Sequence, residues 1–383
     1  MELRAYRFDE ISINYDKKRI PLSGTQREKR KGEYRYYGAQ GVIDYIDDYI
    51  FDGTFLLIAE DGENLKSRKQ NIAQVVNGQF WVNNHAHIVT GNNLCDTHYL
   101  CYLINSMDLS GHVTGSAQPK LSQANLNAVT LLLPRMEIQK KIVYYLRKID
   151  EKIELNTQIN KNLEQQAQAL FKAWFVDFEL NSGIMPSHWH ICQLGSVARI
   201  STEVFSPSKN PNVEVEHYSI PSYDEKRYPV FESSDDIKSN KYRLTHNSVM
   251  ISKLNPNTKR IWRPYCISNT PVCSTEFIVY EPVKVSYRDF VYSIIDSEKF
   301  SNFLCAHTTG STNSRQRVTP SITLNYDIVL PDDETICMFS SIVSPMYDTI
   351  ENNIKENQLL AETRDKLLPK LMSGELDVSD IDL

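Results

Sequence analysis

The sequence predicts an α+β protein of two mixed α/β domains, each followed by one long helix. Three observations carry that prediction: an internal duplication, two uninterrupted stretches with heptad spacing, and short β-branched and aromatic runs bounded by turn residues. Sliding the 383-residue chain on itself by 197 places Pro134 on Pro331, Ile153-Glu154 on Ile350-Glu351 and Asn156 on Asn353. The same shift places Asn160 on Asn357, Leu163 on Leu360 and Leu170 on Leu367, with no gap. Upstream, Tyr99-Leu-Cys-Tyr-Leu-Ile-Asn-Ser is similar to Phe290-Val-Tyr-Ser-Ile-Ile-Asp-Ser, and Gly115-Ser116 precedes the first proline as Gly310-Ser311 precedes the second. A repeat of this length implies one structural unit used twice.

The first domain covers 1–135. Within it Phe51–Glu60 and Gln79–Thr90 read as strands, because β-branched and aromatic residues run between Asp-Gly and Asn-Gly turns. A helix follows over 136–180. From Glu137 to about Asp177 there is neither Pro nor Gly. Ile142, Ile149, Leu163 and Leu170 fall on one seam position, and Ile138, Tyr145 and Ile159 on the other. At about 1.5 Å per residue the helix is roughly 60 Å long, more than a compact domain needs. The second domain covers 181–333, with strands predicted at Ser248–Leu254 and Val272–Tyr280. The last segment, 334–383, is a second long helix to about Met372, with Phe339, Met346, Leu360 and Leu367 on the equivalent seam. Pro345 is a candidate kink, and Ser373-Gly374 a stop before an acidic tail.

Both seams are broken at the same place, by Asn156 and Asn353. A buried asparagine is costly unless partnered, and its best-attested role is to fix register. If the helices pack antiparallel about a pseudo-twofold axis, the two asparagines meet in one layer. Solvent exposure where the seam drifts is the competing reading.

Composition excludes several classes. With 41% hydrophobic and 23% charged residues the chain is an ordinary globular protein. No apolar run approaches the ~18 residues of a membrane span, and Met1–Glu10 does not read as a signal peptide. The seven scattered cysteines form no CxxC pair, which points to reduced thiols in a cytoplasmic protein and to no zinc site. There is no Gly-x-x-x-x-Gly-Lys-Ser/Thr phosphate loop, no dinucleotide fingerprint and no Asn/Asp-Pro-Pro-aromatic tetrapeptide. His85 and His87 could be offered as a metal pair but lack an identifiable third ligand, so a structural or ligand-facing role is favoured. The carboxylates Asp44, Asp47, Asp48 and Asp52 read as a solvated turn.

Charge segregation is the positive signal. The net charge of −6 would normally argue against a nucleic-acid partner. Residues 334–383 hold ten acids and four bases, which is −6 by themselves; the rest holds 38 of each sign, from 42 − 4 and 48 − 10. Its positive charge is gathered into patches. Lys17, Lys18, Arg19, Arg27, Lys29, Arg30, Lys31 and Arg35 meet only Glu28 and Glu33 over residues 17–35. The stretch 237–265 has no acid and includes Lys253, Lys259, Arg260 and Arg263, with Tyr242, Trp262 and Tyr265 interleaved. Asn313, Arg315, Gln316 and Arg317 lie near the end of the second domain. Lys and Arg neutralise phosphates, while Arg, Asn and Gln can read base edges. One such patch in each half fits double-stranded DNA better than a solvated face would.

These residues resemble a known family. Leu133-Pro-Arg-Met-Glu-Ile-Gln-Lys-Lys-Ile-Val143, running on to Leu155–Phe171, is similar to the central conserved region of the specificity (S) subunits of type I restriction-modification enzymes. Leu367-Leu-Pro-Lys-Leu-Met-Ser-Gly-Glu-Leu376 resembles their distal conserved region. Tyr36–Gly41, Phe51-Asp-Gly53, Trp81–His87 and Thr114-Gly-Ser-Ala-Gln-Pro-Lys-Leu121 resemble one class of first target-recognition domain. In the second domain Gly310–Arg317 keeps only the outline of the Gly-Ser-x-Gln loop.

The resemblance implies a non-catalytic DNA-recognition subunit in which two target-recognition domains, related by internal pseudo-twofold symmetry, are separated by a pair of long antiparallel coiled-coil helices. Each domain would read half of an asymmetric bipartite site, with Asn83, His85, Gln118 and Lys120 added to the basic residues as DNA contacts. The helices would set the spacing and dock two methyltransferase (M) subunits, with Trp174, Phe175 and Phe178 as candidate docking residues and core packing as the alternative. Restriction (R) subunits would complete the complex. S-adenosylmethionine and ATP would belong to those partners, leaving this chain without a cofactor. A coiled-coil scaffold, or an RNA-binding protein without a restriction role, is the reading from a different class.

Overall fold

The computed structural model describes residues 2–115, 118–309, 316–379 and 381. It resolves into two compact units: residues 1–151 with 360–383, and residues 152–359. The four segments expected from chain order are thus grouped differently, because each long helix contributes to both units.

The first unit is built on a six-stranded sheet of β1 (Ser12–Asn14), β2 (Lys31–Gly38), β3 (Gly41–Ile46), β4 (Phe51–Ala59), β5 (Ala73–Val82) and β6 (Ala86–Gly91). Their order is β1-β6-β4-β5-β2-β3, antiparallel throughout except for the parallel β5–β2 pair. The apolar run Phe55–Ala59 explains why β4 is central. Leu56 and Ile58 enter a core shared with helix α1 (Thr97–Ser106), while Leu57 enters a second core with Phe51, Phe80 and Ile88 on the other face. Helix α1 starts where the Asp96 carboxylate accepts the His98 and Tyr99 N–H groups.

The predicted single strand Gln79–Thr90 is two strands, β5 and β6, which pair with opposite sides of β4. The break falls at Asn83, whose side-chain oxygen accepts the His85 N–H at 2.8 Å and closes a local turn.

The second unit is built on two larger sheets. One comprises β7 (Ala198–Ser201), β12 (Val249–Ser252), β13 (Ile261–Trp262) and β15 (Phe277–Pro282); the other comprises β8 (Val204–Phe205), β9 (Glu214–Tyr218), β10 (Val230–Ser233), β11 (Lys241–Arg243) and β14 (Pro271–Ser274). They run β7-β15-β12-β13 and β8-β11-β14-β9-β10. The predicted strand Val272–Tyr280 is therefore also divided, between β14 and β15. Helices α2 (Arg288–Asp296) and α3 (Glu298–Ala306) pack beside them.

The duplication is visible within each unit. Thr130–Leu133 pairs antiparallel with Arg4–Arg7 in the first unit, and Asp327–Leu330 pairs antiparallel with His190–Gln193 in the second. The strands entering the long helices are thus 197 residues apart, as the sequence repeat requires. The proximal long helix spans Met136–Phe175 and the distal one Asp333–Ser373. The distal helix continues through Pro345. It stops at Gly374, whose φ of +79° suits glycine beyond a helix end.

In the second unit the two long helices run antiparallel, and their asparagines are partnered. Asn156 donates to Asn357 at 2.9 Å and to Glu356 at 2.7 Å, and Asn353 donates to Asn160 at 2.8 Å. Asn156 and Asn353 do not meet each other, as a single shared layer would require. Each meets the asparagine four residues beyond the other, so the shift of 197 exchanges one pair for the other. Asn156 is 1% exposed, which removes the solvent reading for that residue. Replacing Asn156 and Asn353 together by Leu should leave Asn160 and Asn357 without these partners and change the oligomeric state. An unchanged solution mass in light scattering would refute a register role.

Candidate nucleic-acid interface

The basic segment of the first unit is more strongly neutralised than its sequence implies. Asp44 on β3 lies between Arg27, at 3.1 Å, and Lys31, at 2.6 Å. The Lys31 hydrogen bond, the Tyr45 N–H and Arg27 hold its carboxyl down to about 2. Arg30 pairs with Asp47 at 2.9 Å and Asp48 at 3.5 Å, and its guanidinium covers the Trp81 ring. The acidic turn read as merely solvated is therefore the counter-charge of the basic stretch, brought to it by the β2–β3 hairpin. Arg35 bonds the Asn77 carbonyl and lies over Tyr37. Lys17, Lys18 and Lys29 are exposed and make no ion pair among the described residues.

A second segment sits beside them. Thr114 and Lys120 exchange two backbone hydrogen bonds of 2.8 Å, and Gln118, two residues before Lys120, is exposed. Lys120 reaches Glu60 at 3.3 Å, and Arg19 holds the same carboxylate at 2.7 Å. His85 is half-exposed and bonded to Asp61 at 2.7 Å, whereas His87 is fully enclosed. The described residues hold no group of three side chains suited to a metal ion. Asn83 needs correction as a base-reading residue: it is 7% exposed and its oxygen closes the turn before His85.

In the second unit the residues expected at the interface separate into two groups. Arg317 is half-exposed, pairs bidentately with Glu276 at 3.1 and 3.2 Å, and lies opposite Leu254 in a backbone bridge. Gln316 accepts the Asn255 N–H through its backbone oxygen at 2.9 Å, and Lys253 lies one residue from the Leu254 bridge. Lys253, Gln316 and Arg317 therefore share one edge. Asn313 and Arg315 lie outside the described residues.

The remaining residues are engaged within the chain. Lys259 bonds the Asp296 carboxylate at 2.6 Å, and Arg260 chelates Asp224 at 2.7 and 2.8 Å. Arg263 is a correction. Its side chain is 10% exposed and bonded to Asp289 at 2.8 Å and Asp348 at 3.0 Å, so it ties the sheet to α2 and the distal helix. Trp174 and Phe175 are corrections too, because both are buried in the core of the second unit with Phe290 and Phe339 and present no docking surface. Phe178 packs against the edge of that core.

Sequence reasoning missed Arg227–Glu164, a 2.8 Å pair from the second domain to the proximal helix, and Tyr102–Asp150–Arg364, which links α1 to both long helices. Nothing in local spacing marks either set, since their members lie 48 to 214 residues apart. No helix among the described residues is long and apolar enough to cross a membrane.

Residues 6–165 match the family described as the type I restriction modification DNA specificity domain. The chain is 32% identical over 138 residues to S.HindORF215P, a type I restriction enzyme specificity subunit of Haemophilus influenzae; the match covers 36% of this chain and about a third (35%) of that relative. It is 26% identical over 319 residues to the type I restriction enzyme MjaIX specificity subunit of Methanocaldococcus jannaschii, covering 74% of this chain and 70% of that one. Among solved structures, the S subunit of a type I restriction-modification system from M. genitalium shares the fold, with a TM-score of 0.65 at 13% identity over 97% of this chain and 96% of that one. The two mixed units, the paired long helices and the sequence matches agree: the chain is similar to type I restriction-modification specificity subunits, and its residues 6–165 match the DNA specificity domain of that family.

Proposed function

We propose that this chain reads an asymmetric bipartite site in double-stranded DNA, one half with each recognition domain, and carries two methyltransferase subunits on its long helices. Restriction subunits join that assembly. The observation that carries this reading is the duplication itself: one α/β unit and its helix occur twice, 197 residues apart, each with solvent-reaching basic residues such as Lys17 and Arg317. Two linked reading heads make the second contact intramolecular, so a full site is favoured over a half-site.

In the first unit Lys17, Lys18 and Lys29 serve as phosphate contacts, with Gln118, His85 and Lys120 at the base edges. In the second, Lys253, Gln316 and Arg317 take the corresponding place. Arg19, Arg27, Arg30, Lys31, Lys259 and Arg260 shape the two surfaces through their carboxylate partners, and Arg35 through the Asn77 carbonyl. The chemistry of methyl transfer and cleavage resides in the other subunits.

Single-molecule methylome sequencing of a strain with and without this gene tests the proposal. A bipartite adenine-methylation motif should vanish with the gene, and an unchanged methylome would overturn the reading. Deleting about one turn from the proximal helix should alter the unspecified spacing and leave both half-sites readable. Unchanged spacing in the recovered motif would refute a helical ruler.

A further inference from the structure

Inside the first unit, His87 on β6 is 1% exposed and uses both ring nitrogens. Nδ1 lies 2.6 Å from Asp16 Oδ2, and Nε2 lies 2.8 Å from the Leu121 carbonyl oxygen. A carbonyl oxygen only accepts, so Nε2 carries a proton. Nδ1 faces a carboxylate oxygen, so the ring is hydrogen-bonded on both sides.

Asp16 is built to stay ionised. Burial pushes its carboxyl upward, but the His87 hydrogen bond and charge, the Ile88 N–H and Arg19 outweigh that and hold it below its ordinary value. The other charges around the ring are balanced. Glu60 approaches Nδ1 at 3.8 Å and is itself held by Arg19 and Lys120, while His85 turns away to Asp61.

The two partners of this buried ring belong to two surface segments. Asp16 opens the short turn Asp16–Lys18, next to Arg19. Leu121 closes the loop that Thr114 and Lys120 pin and that presents Gln118. The segments lie about a hundred residues apart in sequence, and the imidazole ring is a direct bridge between them.

We propose that His87 is a positioning residue for the first half-site: its ring, hydrogen-bonded through both nitrogens, locks the Lys17–Lys18 turn to the Gln118 loop, so that phosphate and base contacts meet one duplex in fixed register. This rests on the DNA-reading function proposed above.

The test uses the S chain assembled with its methyltransferase subunits and a pool of random-sequence duplex DNA. The wild-type complex selects a bipartite site, and variants are measured on that site and on versions altered in either half. His87→Gln should lose about tenfold or more in discrimination at the first half-site and none at the second, since its single amide nitrogen cannot occupy the positions of both ring nitrogens. Asp16→Ala cuts the bridge at its other end, should give the same one-sided loss, and serves should His87→Gln fail to fold. Asp16→Asn should restore discrimination, because its amide can donate to a neutral His87 that still donates to Leu121.

Unchanged discrimination in a folded His87→Gln or Asp16→Ala chain overturns the proposal. So does an equal loss at both half-sites, or an Asp16→Asn chain as impaired as Asp16→Ala. If the wild-type complex selects no sequence at all, the DNA-reading function itself falls, an outcome distinct from these.

Discussion

Arg263→Ala should destabilise the second unit by about 3–5 kcal/mol, as removing one member of a buried charge network does. Burial pulls the Arg263 guanidinium down, but Asp289 and Asp348 together push it above its ordinary value, so it stays charged and paired. Truncation strands Asp289, whose side chain is 6% exposed, while Asp348 at 57% remains solvated and contributes little. Replacing Arg263 and Asp289 together by apolar residues of similar size should cost far less. Denaturant unfolding of the isolated chain distinguishes the cases. If stability is unchanged and only DNA affinity falls with a shallower salt slope, Arg263 reaches the phosphates after all.

Phe175→Ala should cost a further class of stability, about 3–5 kcal/mol from lost burial and an unfilled cavity. Its ring is 4% exposed and lies 5.1 Å from both Phe290 and Phe339, 5.4 Å from Phe171 and 5.8 Å from Trp189. In a unit of about 200 residues that loss lowers the midpoint of thermal unfolding by roughly 10 °C. An unshifted melting curve, with loss only of the methyltransferase subunits on co-purification, would return Phe175 to a docking role.

The long helices were legible because they are local and periodic: seven-residue spacing, absence of breakers and a terminal glycine all lie along one stretch of chain. The duplication was legible because its strongest matches fall in those same helices. Strand boundaries were less so. Gln79–Thr90 has uniform β propensity, and only the tertiary demand that both pieces flank β4 divides it at Asn83.

The candidate interface was half legible. Composition locates the basic runs, but exposure depends on partners supplied by other elements. Asp44 reaches Arg27 and Lys31 through a hairpin, and Asp224 and Asp289 reach Arg260 and Arg263 across 36 and 26 residues. No linear charge count registers such pairings. The aromatic run Trp174–Phe178 misled for a related reason: an excess of apolar bulk announces burial without saying against what.

The make-up of the first unit has a consequence for the order in which the chain folds. Leu371, Met372 and Val378 belong to the same core as Phe8, Leu56 and Ile142, and Lys141 bonds the Ser379 carbonyl at 2.7 Å. Residues 152–359 form a unit without any of these. On the ribosome, therefore, the half synthesised second can close first. The half synthesised first must wait with one side of its core uncovered until residue 378 has emerged. A chain interrupted after residue 359 would carry a finished second unit and an unfinished first one, and its exposed apolar surface would mark it for aggregation or removal.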